Sequence, residues 1–169
     1  MKQIFFVCMI VVAFACNTKT QQQSGILQPS GKAKVDQLIF GRFCGMCPKG
    51  CAIMYQLDAV RNEMRVDTSE RYFKSEGKEL SFSTKPLSEK SFLTAREIMD
   101  QLPDSLLMAP DNERFGCPDC ADGCGIYLRL TSGTVTKSFY IDYQTDQLSG
   151  YIKPYAELIR KKFEEVHGL

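Results

Sequence analysis

The chain has 169 residues, 21 basic against 20 acidic side chains, and 44% hydrophobic residues. A net charge of +1 with no block of like charge excludes the electrostatic footprint of a nucleic-acid binder. The one histidine, His167, lies at the frayed C-terminus and leaves no internal partner for a Ser-His or Cys-His dyad.

In chain order, Lys2 precedes an uncharged apolar run, Ile4 to Ala15. Twelve residues are too few to span a bilayer, which takes about 20, and suit a signal peptide over residues 1–15. The run ends Ala13-Phe14-Ala15-Cys16, which resembles a bacterial lipoprotein signal. That resemblance implies lipidation of Cys16, with Asn17 behind it resembling outer-membrane signals. The alternative is ordinary secretory cleavage near Ala15. Cys8 falls inside the run and is discarded in either case. Residues 16–33, with Gln21-Gln22-Gln23, Ser24, Gly25 and Pro29, read as a flexible tether. Removing Lys2 leaves 20 basic and 20 acidic residues. Export places the remaining cysteines in an oxidising compartment, where disulfides are the default.

The remainder, residues 34–169, reads as a single domain organised by one cysteine triplet that occurs twice. Cys44-Gly45-Met46-Cys47-Pro48-Lys49-Gly50-Cys51 and Cys117-Pro118-Asp119-Cys120-Ala121-Asp122-Gly123-Cys124 both read C-x2-C-x2-G-C, offset by 73 residues. Phe43 and Phe115 precede them, and apolar stretches Ile53 to Leu57 and Ile126 to Leu130 follow at the same offset. This predicts two pseudo-repeats, 34–103 and 104–169.

Val35 to Phe43 reads as a strand running into the first triplet. Ile126, Leu128 and Leu130 alternate with Tyr127 and Arg129, turn at Ser132-Gly133, and resume at Val135, Phe139 and Ile141: a hairpin. The equivalent stretch Cys51 to Leu57, a turn at Asn62 and Met64 to Asp67 should match it. Arg71-Tyr72-Phe73, Ser75-Glu76-Gly77 and Leu80-Ser81-Phe82 suggest an extra hairpin. Thr94 and Glu97 form a capping-box pattern for a helix carrying Ala95, Ile98, Met99 and Leu102, ended by Pro103. Tyr151, Tyr155, Leu158, Ile159, Phe163 and Val166 form the stripe of a second helix, with Pro154 in its first turn and the pairs Glu157/Lys161 and Arg160/Glu164 on its wet face. The expected class is α+β: an antiparallel sheet of two pseudo-repeats, each a triplet loop, strands and one helix, with both helices on one face.

Three chemistries suit the cysteines. The first is a disulfide framework of Cys44, Cys47, Cys51, Cys117, Cys120 and Cys124. Three cysteines per repeat is odd, so complete pairing needs at least one bridge between repeats. Cys51 with Cys124 is the expected crossing, leaving Cys44 with Cys47 and Cys117 with Cys120. The second is redox. Phe43-Cys44-Gly45-Met46-Cys47-Pro48, with Pro86 further on, resembles the site of thioredoxin-like oxidoreductases, which would make Cys44 and Cys47 catalytic. Gly50 interrupts the helix such a site needs, and Asp119 and Asp122 oppose thiolate formation in the second copy. The third is structural zinc held by the two C-x2-C pairs, at a spacing far longer than compact zinc motifs use.

As a whole, the chain is similar to uncharacterised cell-envelope lipoproteins of Bacteroidota-type bacteria. The residues carrying this are Cys16 after its apolar run, Phe40-Gly41-Arg42-Phe43-Cys44-Gly45-Met46-Cys47 and Phe115-Gly116-Cys117-Pro118-Asp119-Cys120-Ala121-Asp122-Gly123. The resemblance implies a location, the outer membrane facing the periplasm or the cell surface, and no mechanism. The expectation is a non-enzymatic module, attached to the membrane through its lipid, with no cofactor, metal or nucleic acid and an unknown envelope protein or ligand as partner.

Overall fold

The computed structural model describes residues 35–47 and 50–169. The expected signal, lipidation site Cys16 and tether all lie outside these residues. Strands β1 (Gln37–Cys44), β2 (Ala52–Asp58), β3 (Glu63–Val66), β4 (Glu113–Phe115), β5 (Cys124–Ser132) and β6 (Val135–Asp142) form one sheet in the order β3-β2-β1-β5-β6-β4. Every pairing is antiparallel except β4 with β6. Helices α2 (Glu89–Asp100) and α4 (Ile152–His167) cover one face, so the expected α+β class is the observed one.

Alternation along the strands makes this face. Leu38 and Phe40 of β1, Tyr55 and Leu57 of β2, and Ile126, Leu128 and Leu130 of β5 point to it, with Phe139 and Ile141 of β6. They meet Phe92, Ala95 and Ile98 of α2 and Tyr155, Ile159 and Phe163 of α4. The Tyr155 hydroxyl, buried with its ring, donates to the Ile98 carbonyl at 2.9 Å and ties the helices together inside the core.

The predicted α2 start was displaced. Ser88 is the N-cap: its backbone is extended (φ −62°, ψ 153°) and its hydroxyl accepts from the Ser91 amide at 3.1 Å. Thr94 lies mid-helix. Glu97, the supposed partner in the capping box, turns instead to Lys162 on α4. Pro103 follows the end of α2 as expected, and it also opens a short helix missing from the sequence reading, α3 (Asp104–Met108). Lys137 donates its ammonium to the Leu107 and Ala109 carbonyls at 2.7 and 2.8 Å and so closes that helix end. On α4, Arg160 reaches the Tyr143 carbonyl and Glu164 pairs with Arg42, while the i,i+4 ion pair present is Lys161 with Glu165.

The other face is covered as well. Residues 68–82 fold onto it around a single helical turn, α1 (Tyr72–Ser75), where the sequence suggests a hairpin over Arg71 to Phe82. Glu76 and Gly77, both left-handed (φ 49° and 77°), close that turn rather than reversing a strand. Asp67 anchors the segment at both ends by accepting from the Ser69 and Ser81 amides. Arg129 adds a bond from its guanidinium to the Gly77 carbonyl at 2.8 Å. Under the segment lies a second, aromatic core of Ile39, Phe43, Met54, Tyr72, Tyr127 and Tyr140.

The halves do not meet as a symmetric pair of triplet strands. β2 and β5, which follow the two triplets, flank β1 and never touch each other. The strands that precede the triplets are placed differently: β1 is central, whereas β4 runs parallel to β6 on the outer edge.

Candidate functional site

All six triplet cysteines gather at one end of the sheet, where β1 ends and β2 and β5 begin. Three bridges form: Cys44–Cys124, Cys47–Cys51 and Cys117–Cys120. The expected local pair Cys117–Cys120 is present. The expected crossing between Cys51 and Cys124 is not, and neither is Cys44–Cys47. The reason is the strand order: β1 stands between β2 and β5, so Cys51 and Cys124 are never neighbours. Cys44 is directly opposite Cys124 in the register. The Cys44 amide donates to Cys51 on the β2 side at 2.7 Å, and the Cys124 carbonyl accepts from Tyr143 on the β6 side at 3.2 Å. Their backbones therefore turn away from one another, which is the closely spaced kind of antiparallel pair. The Cα atoms are 4.0 Å apart, and the side chains on the common face meet.

This arrangement separates the two cysteines of the thioredoxin-like motif into different bridges, and the next element after Cys51 is strand β2. Among the described residues no group of three or more His, Cys, Asp or Glu side chains is placed to hold a metal ion. His167, read as frayed, is tied down: its Nδ1 lies 3.2 Å from the Tyr55 hydroxyl and its ring stacks on Phe163.

The second triplet loop is shaped by backbone rather than by packing. Asp119, Ala121 and Asp122 all have positive φ (69°, 49° and 61°), a conformation costing non-glycine residues roughly 1 kcal/mol or more each. The loop is pinned by Asp142, whose carboxylate accepts from the Cys117 amide at 3.1 Å and the Gln144 amide at 2.8 Å. Asp119 is thereby laid over Gly45 of the first loop, against the place where a β-carbon would stand. The two triplets thus touch through a carboxylate and a glycine as well as through Cys44–Cys124.

Beside these loops, on the face bearing the aromatic core, is a cavity of about 260 Å³. Phe43, Tyr72, Phe73 and Tyr140 supply its rings; Arg114, Glu76 and Asp119 supply charge, and Pro118 part of the floor. The Phe43 and Tyr72 rings stack with centroids 4.9 Å apart, Phe73 meets Tyr72 edge-on at 5.2 Å, and Phe43 meets Tyr140 edge-on at 6.4 Å. The Arg114 guanidinium lies 4.7 Å from the Tyr140 ring centre. Burial pushes the Tyr72 hydroxyl far above its ordinary pKa, helped by Tyr140 and Tyr127. Burial likewise raises Tyr140, with Tyr127 and Glu76 adding to it. Both phenols therefore stay neutral at physiological pH, as donors and ring faces rather than as phenolate nucleophiles.

A larger groove of about 620 Å³ lies between the turn that opens β3 and the start of α2, lined by Arg61, Glu63, Leu87, Phe92 and Arg96 among others. Its arginines are engaged elsewhere, Arg61 with Asp58 and Arg96 with Asp100. The aromatic cavity is the better candidate because Pro118 and Asp119 of its lining lie inside the Cys117–Cys120 loop and Phe43 adjoins the Cys44–Cys124 bridge.

Sequence reasoning missed Tyr72, Phe73, Glu76, Arg114 and Tyr140. One signal was available: Ile39, Phe43, Tyr127 and Tyr140 are apolar positions on the opposite strand parity from the main core, the mark of a sheet covered on both faces. No protein-family model matches the chain, and no curated protein compared with it matches either.

Proposed function

We propose that the protein is a non-enzymatic module of the bacterial cell envelope, held to the membrane by a lipid on Cys16 and stabilised by its three disulfides. The observation that supports this reading is the distribution of Cys44 and Cys47 into two separate bridges. Thiol-disulfide exchange by a C-x-x-C site needs the two cysteines to close on each other after the first has attacked. Here Cys44 is committed to a neighbouring strand. The apolar run ending at Cys16 supplies the anchor reading, and the polar segment after it would hold the domain off an outer-membrane surface.

Two measurements test this. Mass spectrometry of membrane-extracted protein should find acyl chains on Cys16; a lipid-free N-terminus just after Ala15 would remove the anchor. The reduction potential of the bridges should lie below about −300 mV, the range of structural disulfides. A dithiol titrating well above that range would restore the oxidoreductase reading, and stoichiometric, chelator-sensitive zinc on the exported protein would restore the zinc one.

A further inference from the structure

We propose that the aromatic cavity at the disulfide end of the sheet binds an organic cation, a primary or quaternary ammonium group, in the place now taken by Arg114. The inference concerns the cavity alone and does not depend on the lipid anchor. It begins with charge. Glu76 and Asp119 stand on the rim, and neither carboxylate has an ion-pair partner among the described residues. Both residues are held in the left-handed region, φ 49° and 69°, so their positions are set by strained backbone rather than by a counter-charge. Among the described residues that line the cavity Arg114 is the one cation against two carboxylates, an excess of one negative charge.

The rings make the same statement. Negative potential lies over an aromatic face, and a cation within about 6 Å of a ring centre is attracted to it. Arg114 at 4.7 Å over Tyr140 is the shortest such contact among the described residues. It is also a replaceable one. Arg114 is exposed, sits on a three-residue edge strand and makes no ion pair with either rim carboxylate. An incoming ammonium would meet Tyr140, the free side of Phe73 (49% exposed) and two carboxylates, while the guanidinium swings out to water. An anion would face both carboxylates. A neutral apolar guest would leave them unpaired and partly desolvated. A cavity of about 260 Å³ admits a headgroup or the end of a lysine-like side chain, not a large ligand.

The test uses full-length protein in detergent and choline as the probe, with its uncharged carbon isostere 3,3-dimethylbutanol as the control. Tyrosine fluorescence serves as readout, since the chain has no tryptophan. Choline should bind saturably and the isostere at least about tenfold more weakly. Arg114→Ala should tighten choline binding by about threefold or more, because it removes the competing internal cation. Glu76→Gln with Asp119→Asn should weaken it by a similar factor or abolish it. Phe73→Ala, at an exposed position that leaves the cores intact, should also weaken it. Equal binding of choline and its isostere would overturn the proposal, as would weaker binding in Arg114→Ala or no binding in either the wild type or Arg114→Ala.

Discussion

Gly125 lacks a side chain where Phe43 needs the room. The two residues are cross-strand partners, and the Phe43 ring lies where a β-carbon on Gly125 would be. That placement lets Phe43 stack on Tyr72 and close the floor of the cavity. Gly125→Val should therefore force the ring off its seat at a cost of roughly 1–3 kcal/mol, the usual range for overpacking. Near-ultraviolet circular dichroism of the tyrosines should change while the far-ultraviolet signal stays; an unaltered tyrosine signal would show that Phe43 does not hold Tyr72. The bridges also differ residue by residue. Cys44–Cys124 spans 80 residues, whereas Cys47–Cys51 and Cys117–Cys120 span 4 and 3. Loop entropy assigns the long bridge about 4.5 kcal/mol and the short ones about 2 kcal/mol each. Removing Cys44 and Cys124 together, as Cys44→Ala with Cys124→Ala, should lower the Tm by roughly 10 °C or more, and clearly further than Cys117→Ala with Cys120→Ala. Equal losses would mean the long bridge does not constrain the unfolded chain.

Among the elements, α2 and α4 are joined at their surface by Glu97 and Lys162. The hydrogen bond from Lys162 holds the Glu97 carboxyl below the usual carboxylate range, against a smaller effect of desolvation. The same bond, with Glu165 behind it, raises Lys162. A depressed carboxyl contributes stability above its unfolded pKa and loses it as pH falls through the folded one. A raised lysine contributes below its unfolded pKa and loses it as pH climbs through the folded one. The staple is thus complete between the carboxylate and lysine ranges. Glu97→Gln should lower the Tm slightly at pH 7, and the deficit should shrink once the pH drops below the ordinary glutamate range and vanish only below the depressed folded pKa. A deficit that persisted in acid would mean that Glu97 acts by packing. The same glutamate explains a misplaced helix start. Three residues after Thr94 it satisfies the capping-box pattern, yet a tertiary partner claims it, and Ser88 does the capping. Elements held by their own periodicity were legible: β5, β6 and α4 each carry a run of apolar residues long enough to declare its period. The segment 68–82 was not, because Tyr72 and Phe82 are spaced as a strand would space them while Asp67 and the left-handed Glu76–Gly77 corner fold it as a turn of helix.

At the scale of the molecule, the sheet has two cores of different character. The helix-covered core is largely aliphatic, with rings such as Phe40, Phe139 and Phe163 among the branched side chains, and was readable from alternation. The second is built from Phe43, Tyr72, Tyr127 and Tyr140, whose contacts join residues far apart in the chain. Nothing local announces that Tyr72 will meet Phe43 and Tyr127, so the cavity that Tyr72 lines with Phe43 and Tyr140 could not be read before the topology was known. The paired triplets were visible in the sequence as a motif, as was the need for a bridge crossing between them. Its identity was not, because a strand inserted between β2 and β5 decides which cysteines are opposite. The account therefore stands or falls on the bridge pattern. Non-reducing peptide mapping reads it directly, since cyanogen bromide at Met46 parts Cys44 from Cys47 and trypsin at Lys49 parts Cys47 from Cys51. The expected products are the peptide 43–46 bonded to 115–129, and 47–49 bonded to 50–54. A peptide joining 43–46 to 47–49, or free thiols at those positions in freshly isolated protein, would contradict it.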